Sequence, residues 1–370
     1  MNSFDLWRYQ LIRILPWPRI DWTLMLLLGL VCATGLVTLY SAGGSSFTYV
    51  FAQSIRFAIG FTAMLLLASS SPTTLRRWTP WVYGGCLVLL VLVALFGEGR
   101  GAHRWLDLKF VRFQPSEIMK LALPMMLAWY FHRRTLPPSW RDLAVCSIIL
   151  GVPALLVAEQ PDLGTALLIA AAGAFVIFLA GISWWRITGI VAVCAGSVPL
   201  VWQFLHEYQR NRVRVLFDPE SDPLGNGWHI IQSKIAVGSG GMWGKGLGQG
   251  TQTQLAFLPE KHTDFILAVF SEEFGWVRVA LLLLLYLIII GRCLWMAAHA
   301  GDTFGRLLAG SLAMSFCVYV IVNGGMIAGV LPVVGVPLPL ISYGGTSAVS
   351  LLASFGILMS IYGHRQMLAR

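Results

Sequence analysis

The chain has 370 residues, 12% charged and 57% hydrophobic, and its 26 Lys and Arg outweigh 17 Asp and Glu to give a formal net charge of +9. Soluble domains carry about 25% charged residues and outer-membrane barrels alternate polar with apolar positions, so the composition excludes both, and a disordered chain as well. It indicates an all-α polytopic membrane protein forming a single integral-membrane domain over residues 1–370, with the positive surplus left to explain.

A helix crosses the hydrocarbon with roughly 20 apolar residues. Ten runs qualify in chain order: 22–42, 49–69, 79–97, 116–132, 143–159, 163–181, 187–205, 265–291, 304–331 and 344–362. The first has full span length and no small-residue cleavage site, so it is expected to stay in the membrane. Only Glu159-Gln160-Pro161-Asp162 separates the fifth from the sixth. Ten spans place both termini on one side, and the positive-inside rule makes that side cytoplasmic. Inner segments then hold 13 of the 26 basic residues: Arg8, Arg13, Arg19, Arg76, Arg77, Arg133, Arg134, Arg141, Arg186, Arg292, Arg306, Arg365 and Arg370. Ten others oppose the rule from two outer loops, Arg100, Arg104, Lys109 and Arg112 in one, Arg210, Arg212, Arg214, Lys234, Lys245 and Lys261 in the other. Those ten are expected to meet an anionic lipid substrate rather than nucleic acid. The six cysteines fall in or beside apolar runs and read as small buried hydrophobes, without a disulfide framework or CxxC metal site.

Ionisable side chains inside a bilayer cost at least ~2.5–3.5 kcal/mol each, so they mark candidate sites. Arg56 lies beside Gln53 in the second span, and Arg278 lies in the eighth. Glu117 and Lys120 open the fourth span at i,i+3 spacing, on one helix face where they can pair. Asp162 opens the sixth, and Glu272 and Glu273 sit in the eighth. A first-turn acid favoured by the helix dipole accounts for Glu117, and a helix-start acid for Asp162. Against a purely structural role stands their shared level, at outer ends of spans beside the basic loops.

Residues 206–264 form one large extracytoplasmic loop between spans seven and eight. Within it, residues 229–237 read as an amphipathic helix lying in the interface, with Ile230, Ile231 and Ile235 on one face and Lys234 toward the headgroups. The glycine-rich stretch 238–250 offers backbone amides for close approach to a phosphate. Its best phosphate-loop match, residues 239–246, fails the Walker pattern at both ends, and the inner loops are too short for a nucleotide-binding domain. The protein must therefore act on an activated lipid or use an ion gradient, as an enzyme or a transporter.

The loop closes at Asp264, beside Lys261 and His262, where it meets the eighth span. An N-cap role for Thr263 or Asp264 is the plain reading. Chemically, an acid among cations at a membrane mouth suits glycosyl transfer from a polyprenyl diphosphate. That leaving group already carries negative charge, so one carboxylate suffices as general base, worth ~10²–10⁴ in rate. A glycosidase would need two facing carboxylates.

Four stretches identify a family: Arg112-Phe113-Gln114-Pro115-Ser116-Glu117 with Lys120; Gln160-Pro161-Asp162-Leu163-Gly164-Thr165; Leu258-Pro259-Glu260 with His262-Thr263-Asp264-Phe265-Ile266; and Asn323 through Gly329, Pro332, Gly335, Pro337 and Pro339 to Ser342-Tyr343-Gly344-Gly345-Thr346-Ser347. By these the whole chain resembles the shape, elongation, division and sporulation (SEDS) family, which includes RodA, FtsW and SpoVE, and residues 218–241 resemble its elongation members. The resemblance implies a ten-span peptidoglycan glycosyltransferase of the bacterial cytoplasmic (inner) membrane, with an extracytoplasmic active site. It would polymerise lipid II during cell elongation and rod-shape maintenance, beside a class B penicillin-binding protein as transpeptidase and other elongation-complex membrane proteins. The catalytic acid maps onto Asp264, which would deprotonate a GlcNAc 4-hydroxyl for inverting attack. Glu117, Lys120 and Asp162 map onto the family's polar cavity positions and Trp105 onto its outer-loop tryptophan, all four expected to bind substrate. From placement, Arg210, Lys234 and Lys261 are expected to hold the diphosphate, with Arg56 and His262 as further substrate contacts. A divalent cation such as Mg or Mn stays open as cofactor. Residues 329–347 are expected to form a re-entrant or broken helix sheltered by protein. A lipid II flippase using Arg56, Glu117, Lys120 and Asp162 as a polar path is the main alternative, and a transpeptidase scaffold a further one.

Overall fold

Apolar runs of span length can satisfy their backbone groups in a bilayer only internally, so each is expected as a helix. The structure, a computed structural model, describes residues 20–96, 106–107, 112–205, 207–222, 225–255, 257–258 and 260–368. Its first helices are α1 Trp22–Ala42, α2 Phe47–Ser69, α3 Pro72–Phe96, α4 Pro115–His132, α5 Trp140–Glu159, α6 Leu163–Leu179 and α7 Trp184–Phe204. Three shorter loop helices follow, α8 Glu207–Phe217, α9 Asn226–Ser239 and α10 Thr251–Gln254, and then α11 Ile266–Ala298, α12 Thr303–Ile327 and α13 Thr346–Leu368. A two-residue antiparallel ladder pairs Leu106–Asp107 with Arg112–Phe113 ahead of α4. Every apolar run expected from the sequence is a helix. Among the described residues eight of them are long and apolar enough to cross a membrane, and α6 is a shorter apolar helix.

Local chemistry sets the ends. Asp21, Asp162 and Asp302 accept backbone N–H bonds as N-caps, and Ser139 with Asp142 forms a capping box. Helix α12 stops short of the expected residue 331, and Gly329 just beyond it adopts φ +67°, a left-handed turn that favours glycine.

Helix α12 is the hub, packed against α4, α6, α11 and α13, while α13 lies along α2. That last contact is backbone-close: a Cβ on Gly356 would sit 2.4 Å from the Met64 carbonyl, and one on Gly60 2.5 Å from Leu352. Small residues permitting such approach are how membrane helices associate. Helix α7 differs, with no buried residue. It corrects the reading of the cysteines: Cys32, Cys86, Cys146 and Cys293 are buried, but Cys194 on α7 is exposed and Cys317 half-buried.

Helix α11 is broken at Gly275 (φ 77°, ψ 174°). The break forfeits two i→i−4 bonds, freeing the N–H groups of Trp276 and Val277 and the carbonyls of Glu272 and Glu273. The glycine-rich stretch takes all four. Trp276 and Val277 donate to Gly241 O (2.9 Å) and Met242 O (3.2 Å), and Lys245 and Gly246 donate to Glu272 O and Glu273 O (each 3.0 Å). The stretch thus lies against the broken helix, and its close approach is to protein. The Glu272 carboxylate is enclosed with it, accepting from Lys245 Nζ (2.7 Å), Thr251 Oγ1 and Gln252 N (each 3.1 Å), while Glu273 accepts from Ser41 on α1.

Helix α9 also differs from its expected pose. It packs on α11 with Ile230, Ser233 and Ala236 buried, and Ser233 Oγ bonds the Ile327 carbonyl at the end of α12 (3.1 Å). Ile235 points outward, because the face at 230, 233 and 236 is narrow enough to seat on another helix.

A Cβ on Gly244 (φ +83°) would fall 2.2 Å from Glu273 O, whereas one on helical Gly84 meets nothing within 4 Å. Gly244→Ala should therefore destabilise the detergent-purified protein by roughly 2–4 kcal/mol, and Gly84→Ala should leave the thermal midpoint within a degree or two or raise it slightly.

Candidate active site

The non-helical backbone between α12 and α13, residues 328–345, is walled by protein on every side that the contacts define. Gly35 of α1 approaches it so closely that a Cβ would lie 2.7 Å from Leu340 O, and Gly164 of α6 would meet Val334 O at 2.5 Å. Tyr286 of α11 donates to Pro339 O (2.6 Å), and Gln53 of α2 to Ser342 O (3.4 Å). The segment is extended and irregular rather than a re-entrant helix, but the expected shelter is present.

This segment holds the turn that carries Asp264. Three consecutive carbonyls of the turn are each fixed: His262 O accepts from Tyr343 N (2.8 Å), Thr263 O from Ser342 Oγ (2.6 Å), and Asp264 O from Asn323 Nδ2 (2.9 Å). Asn323 also donates to Val336 O (2.8 Å), joining α12 to both partners. Gly335 (φ +74°) faces the Asp264 carboxylate, and a Cβ there would sit 3.6 Å from Oδ2. The carboxylate itself makes no hydrogen bond among the described residues, and Asp264 does not cap α11, whose N-cap position is Phe265. Burial, first, and the nearby Glu260 push its pKa up to about 6, with Arg212 opposing.

His262 stacks on Tyr49 of α2 (4.6 Å), Tyr49 meets the edge of Tyr343 (5.4 Å), and the Arg56 guanidinium lies 4.1 Å over the Tyr343 ring. Arg56 and His262 are therefore brought to the Asp264 turn through this aromatic ladder. Burial and the Lys261 charge lower the His262 pKa, against Glu260. Lys234, on α9, drapes its side chain over Gly329 at the start of the segment.

The remaining expected residues separate. Asp162 caps α6, accepting from Thr165 N and from Gln114 Nε2 (each 3.2 Å), which ties the starts of α4 and α6. Glu117 and Lys120 pair at 2.7 Å, both buried, with Ser350 donating to Glu117 (2.9 Å) and Lys120 5.2 Å from the Tyr319 ring centre. They line a small, partly open cavity of about 30 Å³, enough for no more than a water or two. Arg210 donates to Trp202 O (3.1 Å) and Gln203 O (2.9 Å), so it closes the end of α7. Lys261 donates to Thr253 O (2.8 Å), fastening the loop. Trp105 lies outside the described residues.

Arg212 was not singled out by the sequence, where it is one of three alternating arginines. Glu207 pairs with Arg210 (3.6 Å) and Arg214 (2.7 Å), whereas Arg212 has no ion pair within 4 Å among the described residues, lies 5.9 Å over the Tyr208 ring, and its charge opposes the rise of the Asp264 pKa. Tyr49 and Asn323 also carried no chemical signal of their own. Among the described residues no group of three or more His, Cys, Asp or Glu is placed to hold a metal ion.

The profile of the "Cell cycle protein" family of FtsW, RodA and SpoVE matches residues 18–367. Peptidoglycan glycosyltransferase MrdB of Escherichia coli K12 is 50% identical over 358 residues, covering 96% of this chain and 97% of that protein. Stage V sporulation protein E of Bacillus subtilis is 34% identical, covering 92% and 96%. Among solved structures, a chain of a peptidoglycan synthase complex that coordinates polymerization and crosslinking superposes with TM-score 0.82 at 33% identity, covering 93% and 98%. The rod shape determining protein RodA of Thermus thermophilus superposes with TM-score 0.71 at 29% identity, covering 93% and 97%.

Because the folded-state pKa of Asp264 lies above its unfolded value, its ionisation opposes folding. Stability is full below about pH 4 and declines as pH rises through about 6. Asp264→Asn should match wild type at pH 4 and exceed it at pH 8 by up to about 3 kcal/mol, read from thermal unfolding at both pH values.

Proposed function

The chain belongs to the FtsW/RodA/SpoVE family of cell cycle proteins, and from that premise we propose how its site works. It is a multi-pass membrane protein and a peptidoglycan glycosyltransferase. In our reading it polymerises lipid II on the extracytoplasmic side of the bacterial inner membrane. The observation that carries the mechanism is the Asp264 carboxylate, unbonded on a turn whose three carbonyls are pinned.

Asp264 takes the proton from the GlcNAc 4-hydroxyl of the acceptor. The oxygen forms a bond to the MurNAc anomeric carbon of the donor as the bond to the diphosphate breaks. The diphosphate leaves with the electron pair, and single displacement inverts that carbon. A base with pKa about 6 is ionised at neutral pH yet basic enough to share the proton in the transition state. Arg212 and Lys234 neutralise the leaving diphosphate, replacing Arg210 and Lys261, which the fold employs elsewhere. Glu117, Lys120 and Asp162 act as struts below this site; their protein partners favour transfer chemistry over a flippase path. The partner is a class B penicillin-binding protein supplying the transpeptidase, a reading supported by the likeness to a chain of a peptidoglycan synthase complex.

The test is glycan polymer formed from lipid II by the purified protein with its transpeptidase partner. Asp264→Asn should lose ~10²–10⁴ in rate with the complex intact; polymer at the wild-type rate would overturn the assignment. In wild type, kcat/KM should rise with pH through about 6 and then level. Arg212→Gln should cut kcat/KM by ~10–100-fold, in line with about 1.5–3 kcal/mol for one charged contact, whereas Lys261→Gln should lower stability more than rate.

A further inference from the structure

Arg278 is an intramembrane charge that the glycosyl-transfer site does not use. It sits in the first turn of α11 beyond the Gly275 break, where Nη1 donates to Trp243 O (2.9 Å) and Phe274 O (3.0 Å). Its Nε and Nη2 have no partner, and it has no ion pair within 4 Å, among the described residues. Exposed Trp243 (72%) and Trp276 (63%) flank it, as indoles do at a membrane–water interface. The part of α11 beyond the break, about 23 residues or ~34 Å, suffices to cross the hydrocarbon alone, which sets Arg278 at the outer boundary.

Beside Arg278 an apolar groove of ≈ 440 Å³ lies between α1 and α11, lined by Leu30, Ala33, Val37, Phe270 and Leu281. The same stripe of α1 continues through Leu30 and Gly29 to Trp22, where a second hollow of ≈ 660 Å³ opens beside Phe61 of α2. Nothing lies within 4 Å of a Cβ placed on Gly29. Arg278 is the only charged residue lining either hollow among the described residues. An apolar groove with one guanidinium on its wall, its Nε and Nη2 unbonded, matches a lipid chain attached to a phosphate.

We propose that the α1–α11 groove is a specific site for an anionic phospholipid of the outer leaflet, its phosphodiester on Arg278 and a chain along α1. Charge decides the occupant. One cation balances the single charge of a phosphodiester such as phosphatidylglycerol, whereas a diphosphate would call for more than the one arginine present. The site is independent of the glycosyltransferase reading and concerns a different ligand.

The experiment is native mass spectrometry of the full chain in non-ionic detergent with phosphatidylglycerol or phosphatidylcholine of matched chains. Wild type should retain one phosphatidylglycerol at least tenfold over phosphatidylcholine. Arg278→Gln should reduce retention to the phosphatidylcholine level. Ala33→Phe, on the exposed face of α1, should fill the groove and lose the lipid at an unchanged thermal midpoint. Equal retention of the two lipids by wild type would mean that Arg278 only reaches bulk headgroups, and would overturn the proposal. So would undiminished phosphatidylglycerol in both variants, or its displacement by equimolar undecaprenyl diphosphate.

Discussion

Backbone that leaves the helix inside a membrane protein must find partners within the protein, because hydrocarbon offers none. This fold departs from the helix twice in its C-terminal half, and at both departures tertiary contacts take up freed backbone groups. At Gly275 the loop preceding α11 exchanges four main-chain hydrogen bonds with the broken ends. Between α12 and α13, side chains of Gln53, Tyr286, Asn323 and Ser342 take the place of a helical ladder.

The second departure makes the active site. Regular helix would leave no carbonyl free to be gripped and no place for a turn to dock. The extended segment instead presents Tyr343 N and Ser342 Oγ to the turn before α11, and Asn323 binds both segment and turn. The Asp264 side chain is thereby oriented without being hydrogen-bonded. Its neighbours are chosen by the same constraint: glycine at 335 leaves space at the carboxylate, and the Tyr49–His262 stack braces the turn two residues earlier. Partial burial then raises the acid toward neutrality. Positioning and basicity have one structural origin.

The opposite outer charges divide similarly. Arg210 and Lys261 hold loop backbone, and Lys245 neutralises Glu272 within the core. Arg212 and Lys234 have no ion pair within 4 Å among the described residues. The basic residues of 207–261 thus divide between those the fold engages and those it leaves unpaired, a partition that composition cannot express.

The sequence by itself determined the helices, because a 20-residue apolar run has one stable state in hydrocarbon, and every run from 22–42 to 344–362 became one. It also marked Asp264, through an acid set among cations at a loop's end and a motif around it. Three-dimensional packing decided what sequence spacing cannot encode. The glycines of 238–250 offer backbone amides for close approach to a phosphate, yet residues 241–246 serve the break at Gly275, about 30 residues further along. Arg210 and Arg212 are two positions apart and indistinguishable by composition, but on α8 they engage differently, one with the end of α7 and the other with the Tyr208 ring. Asn323 and Tyr49 bear no catalytic chemistry and became part of the site only because folding set them against the turn. Which helix faces a segment, and which donor is already engaged, depends on contacts between residues far apart in the chain; local pattern carries the helix, and tertiary structure assigns the charge.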